Sequence, residues 1–185
     1  VSRGGAGACA DANSASATDF GVYGVKIDGQ RANATYQITN ARAVFFSSAT
    51  RVKVRDCYAY AQYGDGIRID AACLDADVSH NTVTDCGIEP AHGIMFRSVT
   101  SDSINSADDP VTTYRFVCNN NTIDSVGGSG IMLFCVGQGT VSGNTIRSSG
   151  QRGINIGPTS VDLTITANTV MLSTSTGIHG ANRSK

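Results

Sequence analysis

The chain has no tryptophan, only 6 % aromatic residues and only 16 % charged residues among 185. That composition leaves one domain with an elongated core, rich in Gly, Ala, Ser, Thr and Asn. No stretch sustains a 3.6-residue apolar period, so helices are not the building block. No run approaches the roughly 18 apolar residues of a membrane-spanning helix. The formal net charge is −1, with no basic run or stripe. A phosphate-neutralising surface is therefore not expected, nor a nucleic-acid partner. The six cysteines, Cys9, Cys57, Cys73, Cys86, Cys118 and Cys135, show no C-x-x-C spacing. The usual zinc and redox motifs are thereby lacking, and no metal or cofactor is expected from them. The plainest reading makes the cysteines small buried hydrophobes. A disulfide such as Cys73–Cys86 stays open as an alternative, and so does the redox compartment.

What is present is a repeat. Gly-Ile recurs at Gly66-Ile67, Gly93-Ile94, Gly130-Ile131, Gly153-Ile154 and Gly177-Ile178, the last two steps being 23 and 24 residues. Asn121, Asn144 and Asn168 each stand nine residues ahead of a Gly-Ile. Asn81 stands twelve ahead of Gly93, and Cys57 holds the Asn position before Gly66. A period of this length means stacked supersecondary units. Within each unit, segments such as Val141-Ser-Gly-Asn-Thr-Ile146 alternate β-branched with small polar residues, the period of a half-buried strand. A coil of two or three short strands with Gly, Asn and Ser turns is expected to wind as an all-β, single-stranded right-handed parallel β-helix. About six coils fit between Phe20 and Gly180, a rod about 30 Å long at ~4.8 Å per coil.

Ala43-Val44-Phe45-Phe46 fits the Gly-Ile phase one coil upstream, with Ala for Gly. Val25-Lys-Ile27 is expected one coil before Val52-Lys-Val54. The Asn column is expected to be a scaffold ladder in which Asn tolerates left-handed backbone and bonds its own kind. The Thr column (Thr82, Thr122, Thr145, Thr169) is expected to be a surface stack. Residues 1–19, including the small-residue stretch Gly4 to Ala17, are expected to be an irregular lead-in or linker. Residues 20–185 form the β-helix domain, with a long loop at 98–113. Uncapped ends would expose strand edges, which suggests a piece of a longer chain, flanking domains, or ends covered by partners.

Residues of equal phase stack in columns on a β-helix surface. The column before Gly reads Arg42, Asp65, His92, Ser129, Arg152, Thr176. The next outward column reads Phe45, Arg68, Met95, Met132, Asn155, His179, and the third Ser47, Asp70, Arg97, Phe134, Gly157, Ala181. Asp65, Arg68, Asp70, His92 and Arg97 therefore gather on adjacent coils, with Glu89 in an insertion on the same turn. Carboxylates, an imidazole and guanidiniums together are what acid–base chemistry needs. Ion pairs between rungs that merely solvate a face are the competing reading. Phe45, Met95, Met132 and Phe134 point outward by phase, which fits a covering loop or a subunit contact, for example in a homotrimer. Asp102, Asp108 and Asp109 in the long loop offer carboxylates for a calcium ion, or simply a solvated acidic loop.

Val25-Lys-Ile-Asp-Gly-Gln-Arg31, Val52-Lys-Val-Arg-Asp-Cys57 and Gly64-Asp-Gly-Ile-Arg-Ile-Asp70 resemble the opening coils of the pectate-lyase-like superfamily, in its alginate-epimerase and phage-tailspike branches. The resemblance implies a polysaccharide-binding and polysaccharide-degrading or modifying module, extracellular or virion-associated. It implies a site at the phase of Asp65 to Asp70. A hydrolase would use two of Asp65, Asp70 and Glu89 as acid and base or nucleophile. A lyase or epimerase would use His92 as base, with Arg68 or Arg97 neutralising a uronate. Tyr63 or Tyr114 would stack on sugar. The alternative is a non-catalytic trimeric shaft or receptor-binding segment.

Overall fold

The structure, a computed structural model, describes residues 10–13, 18–29, 41–87, 91–98 and 112–181. Among these the chain forms short parallel strands and no helix. Sheet A stacks β1 (Ala10–Asn13), β4 (Val44–Ser47), β7 (Ile67–Asp70), β10 (Ile94–Arg97), β14 (Ile131–Phe134), β17 (Ile154–Ile156) and β20 (Ile178–Gly180). Sheet B stacks β2 (Gly21–Tyr23), β5 (Lys53–Arg55), β8 (Asp77–Ser79), β12 (Val117–Asn119), β15 (Val136–Ser142) and β18 (Val161–Thr166). The short β11 (Thr113–Tyr114) pairs with the start of β15. Sheet C stacks β3 (Lys26–Asp28), β6 (Tyr58–Tyr60), β9 (Thr82–Thr84), β13 (Thr122–Val126), β16 (Thr145–Ser149) and β19 (Thr169–Met171). Each coil passes once through A, B and C, which is a parallel β-helix of about six coils.

The recurrent glycine has a steric cause. A Cβ on Gly66, Gly93, Gly130 or Gly153 would fall 2.2–2.6 Å from a methyl of Val83, Ile123, Ile146 or Val170. These residues are the inward column of sheet C. It would also fall 2.5–2.8 Å from the carbonyl of the next glycine in the column. Any side chain there would pry sheet A from sheet C, so the column is Gly, or Ala43 in the one coil that admits it. The inward isoleucines that follow, Ile67, Ile94, Ile131 and Ile154, are fully buried. One continuous core runs along the axis and includes Phe46, Phe96 and Phe116. The rings of Phe96 and Phe116 stack at 4.3 Å.

The Asn column lies inside, not on the surface: Asn81, Asn121 and Asn144 are each 1 % exposed. Each Oδ1 accepts the backbone N–H of its counterpart one coil before, from Cys57 through Asn144, at 2.9–3.0 Å. Each Nδ2 donates to a carbonyl of Val54, Val78, Cys118 or Val141. Buried amides must be satisfied, and here every member is. Nor do the ladder asparagines carry the left-handed backbone. That falls on the residue before each, Asp56, His80, Asn120, Gly143 and Ala167, with φ of 52–65°. Similar left-handed columns turn the other corners. They are Asp19, Arg51, Asp75, Arg115, Gln138 and Asp162 at the start of the sheet B passage, and Ala61, Asp85, Ser125, Ser148 and Leu172 near the end of the sheet C passage.

Other expectations also change. Val52-Lys-Val54 lies beside β2, and Lys26–Asp28 pairs instead with Tyr58–Tyr60, because the turn at Gly24 ends one strand and starts the next. A strand, β1, falls within the expected lead-in and pairs with β4. Cys73 and Cys86 are separate buried free thiols, not a disulfide. Burial also pushes the Cys73 thiol up to about 11.

Candidate functional site

Register confirms the sheet A columns. Phe45, Arg68 and Met95 are aligned partners, as are Ser47 and Asp70, and Arg97 and Phe134. Asp65, Arg68, Asp70, His92 and Arg97 do come together on the outer face of β7 and β10. They are not open to solvent: their exposures run from 3 to 8 %.

Asp70 is the hub. It accepts from Arg68 Nε at 3.0 Å and Nη2 at 2.8 Å, and from Arg97 Nε at 2.8 Å and Nη2 at 2.9 Å. The backbone N–H of Ala71 adds a further bond at 3.1 Å. Asp65 Oδ1 accepts the backbone N–H of His92 at 2.7 Å, and its Oδ2 lies 3.3 Å from Arg68 Nη1 and 3.9 Å from Arg42 Nε. The Arg42 guanidinium in turn sits 4.6 Å above the Phe45 ring. Two carboxylates thus neutralise two enclosed guanidiniums. A carboxylate has about four acceptor sites, and those of Asp70 are filled.

His92 is held in one role. Its Nδ1 accepts the Ser129 backbone N–H at 3.0 Å, so the neutral ring carries its proton on Nε2. Burial drives its pKa below the ordinary 6.5, with Asp65 opposing and Arg68 assisting. A ring so arranged has no free lone pair with which to take a proton.

Glu89 lies outside the described residues, as do Asp102, Asp108 and Asp109. Among the described residues no group of three or more His, Cys, Asp or Glu side chains gathers to hold a metal. The long insertion leaves the coil at Ser98 and returns at Thr112. Ser98 Oγ accepts the backbone N–H groups of Thr112 and Thr113 at 3.0 and 2.9 Å and donates to the Cys135 carbonyl. The outward apolar residues Met95, Met132 and Phe134 are buried too, at 3, 7 and 2 %, in a cluster with Cys135 apart from the main core. Tyr63 and Tyr114 are half-buried, Tyr63 in the turn before β7 and Tyr114 in β11.

The open surface is elsewhere. On the outer face of sheet C, one column reads Lys26, Tyr58, Thr82, Thr122, Thr145, Thr169 and the next Asp28, Tyr60, Thr84, Asp124, Arg147, Met171. Tyr58 and Tyr60 flank the inward Ala59, and their rings lie 5.7 Å apart at a 38° tilt. Lys26 Nζ sits 5.5 Å from both ring centroids. The Tyr60 hydroxyl donates to Asp28 at 2.5 Å, fixing its ring. The sequence signal was the alternation Tyr58-Ala59-Tyr60. Pairing with Val52–Val54 would carry Lys26 away from those rings, whereas its pairing with Tyr58–Tyr60 sets it over them.

No protein-family profile, curated protein or solved structure matches this chain.

Proposed function

We propose that this chain is a polysaccharide-binding β-helix module, and that its Asp65–Arg68–Asp70–Arg97 cluster is a structural brace rather than an acid–base centre. The observation that carries the reading is the outward pair on sheet C, the exposed Tyr58 beside the half-buried Tyr60, whose ring Asp28 holds in place. Paired aromatic rings with a polar tip give a sugar ring an apolar face to stack on and hydroxyls a partner. The resemblance of the early coils to the pectate-lyase-like superfamily, tailspikes included, supports polysaccharide as the ligand and an extracellular or virion-associated setting. Against hydrolysis, a retaining or inverting pair needs one carboxyl free to carry a proton and both within reach of substrate. Asp65 and Asp70 are enclosed and held by guanidiniums. Against proton abstraction, His92 has committed its basic nitrogen to Ser129.

Affinity electrophoresis of the whole chain against neutral and acidic polysaccharides tests this, alongside assays for reducing ends and for ultraviolet-absorbing unsaturated product. Binding without product is expected, with binding weakened in Tyr58→Ala and Tyr60→Ala. Product formation that Asp70→Asn abolishes in a still-folded protein would restore the enzyme.

A further inference from the structure

The sheet C face also carries information on what kind of glycan it takes. Its columns run along the solenoid axis, so a bound chain that follows them crosses successive rungs at ~4.8 Å intervals. From Tyr58 to Thr169 the strip covers five rungs, four steps of about 19 Å in all. Beyond the tyrosine pair the first column presents only threonine hydroxyls, at Thr82, Thr122, Thr145 and Thr169. Thr122 and Thr169 are exposed, and Thr82 and Thr145 half-exposed. A hydroxyl can both donate and accept, which suits a ligand made of hydroxyls.

The charges on the strip cancel locally. Lys26 shares strand β3 with Asp28, and Asp124 is the aligned partner of Arg147 on the next rung. A polyanion therefore meets no net positive potential over this face, and an acidic sugar over Asp124 or Asp28 meets a carboxylate. Electrostatic attraction, the usual source of affinity for charged polymers, is absent from its length.

Resting on the polysaccharide-binding reading above, we infer that the outer face of sheet C is the binding site for an uncharged linear polysaccharide. One sugar stacks on Tyr58 and Tyr60, and the chain runs parallel to the solenoid axis over the threonine column. Recognition is then by aromatic stacking and hydroxyl exchange, with no counter-ion release. Affinity rises with oligomer length until the strip is covered.

Titration calorimetry of the whole chain with β-1,4-mannan and β-1,4-xylan oligomers of increasing length, and with polygalacturonate, tests this at low and high salt. At least one neutral polymer is expected to bind, with affinity independent of salt. Tyr58→Ala is expected to weaken binding about tenfold, a loss of about 1.4 kcal/mol. Thr122→Val with Thr145→Val is expected to flatten the length dependence while leaving the shortest binding oligomer unaffected. These side chains are solvent-facing, and a thermal melt confirms that each variant is folded. Preferential, salt-sensitive binding of polygalacturonate that still needs Tyr58 would overturn the inference and leave the binding module standing. Neutral binding indifferent to both tyrosines would place the site elsewhere and also overturn it. If neither class of polymer binds, the inference and the reading beneath it fall together.

Discussion

The outer faces of sheets A and C are made alike, from alternate residues of strands stacked in register, yet they end as opposites. On A the central rungs hold Asp65, Arg68, Asp70, His92, Met95, Arg97, Met132 and Phe134, all buried. On C the same outward positions hold Lys26, Tyr58, Thr122, Arg147 and Thr169, all exposed. The face richest in reactive groups is closed, and its groups are spent on each other. The face poor in them is open. Charge density marks where a β-helix must be braced as readily as where it does chemistry. Availability of lone pairs and surface, not residue type, separates the two cases.

The contrast breaks most sharply at Asp70. Asp70→Ala leaves the guanidiniums of Arg68 and Arg97 enclosed without their main counter-charge. Removing one member of a buried ion pair costs about 3–5 kcal/mol. In a domain of this size that lowers the melting temperature by roughly 10 °C, readable by circular dichroism. Tyr58→Ala on the open face is expected to change stability by less than about 0.5 kcal/mol. Replacing Arg68, Asp70 and Arg97 together by apolar residues is expected to recover most of the loss, since a brace can be rebuilt without charge. A folded, stable Asp70→Ala with altered polymer chemistry would instead return the cluster to function.

His92 sharpens the same contrast through pH. Its folded pKa is depressed by burial, so the native ring stays neutral where the unfolded one takes up a proton. Stability is therefore full above the unfolded pKa, near the ordinary 6.5, and falls as pH drops below it. One such group contributes at most about 1.4 kcal/mol per pH unit. His92→Asn can keep an acceptor for the Ser129 N–H without titrating. Denaturant melts between roughly pH 7.5 and 5.5 are expected to show a shallower acid loss in that variant. An unchanged slope would mean that His92 is not the proton uptake site.

Much of this was legible in the residues. The Gly-Ile phase located sheet A and placed Arg68 against Phe45 and Met95, because a Cβ collision fixes where glycine must recur. The gathering of Asp65, Arg68, Asp70, His92 and Arg97 followed from that phase alone. Their closure did not, because burial of an outer face depends on what lies over it, which no column records. The Asn period marks a scaffold ladder, but not that it faces inward. An asparagine reads as polar until each of its hydrogen bonds is seen to close inside. The alternation Tyr58-Ala59-Tyr60 is visible in the residues, but Lys26 lies over those rings only because Lys26–Asp28 pairs with Tyr58–Tyr60, and a change of register moves every neighbour at once.

The least visible feature was the set of left-handed corners, and it yields the finest test. Of the residues that precede the Asn ladder, only Gly143 is the glycine that left-handed backbone favours. Ala167 occupies the same corner at φ 52° and is exposed. A left-handed alanine is strained by about 1–2 kcal/mol, while glycine costs about 0.5–1 kcal/mol more than alanine in chain entropy. Ala167→Gly is therefore expected to stabilise by roughly 0.5–1 kcal/mol, a rise of about 2–3 °C in the melting temperature. The reverse change at Gly143 should destabilise, since its Cβ would stand 2.3 Å from Asn120 Oδ1 as well as in left-handed backbone. Opposite signs at two positions of one column would show that these corners are a local property of the coil, set by backbone strain and independent of either outer face. Equal signs would mean that packing of the final coil, where Val170 and Ile165 are only partly buried, outweighs the conformation of its turn.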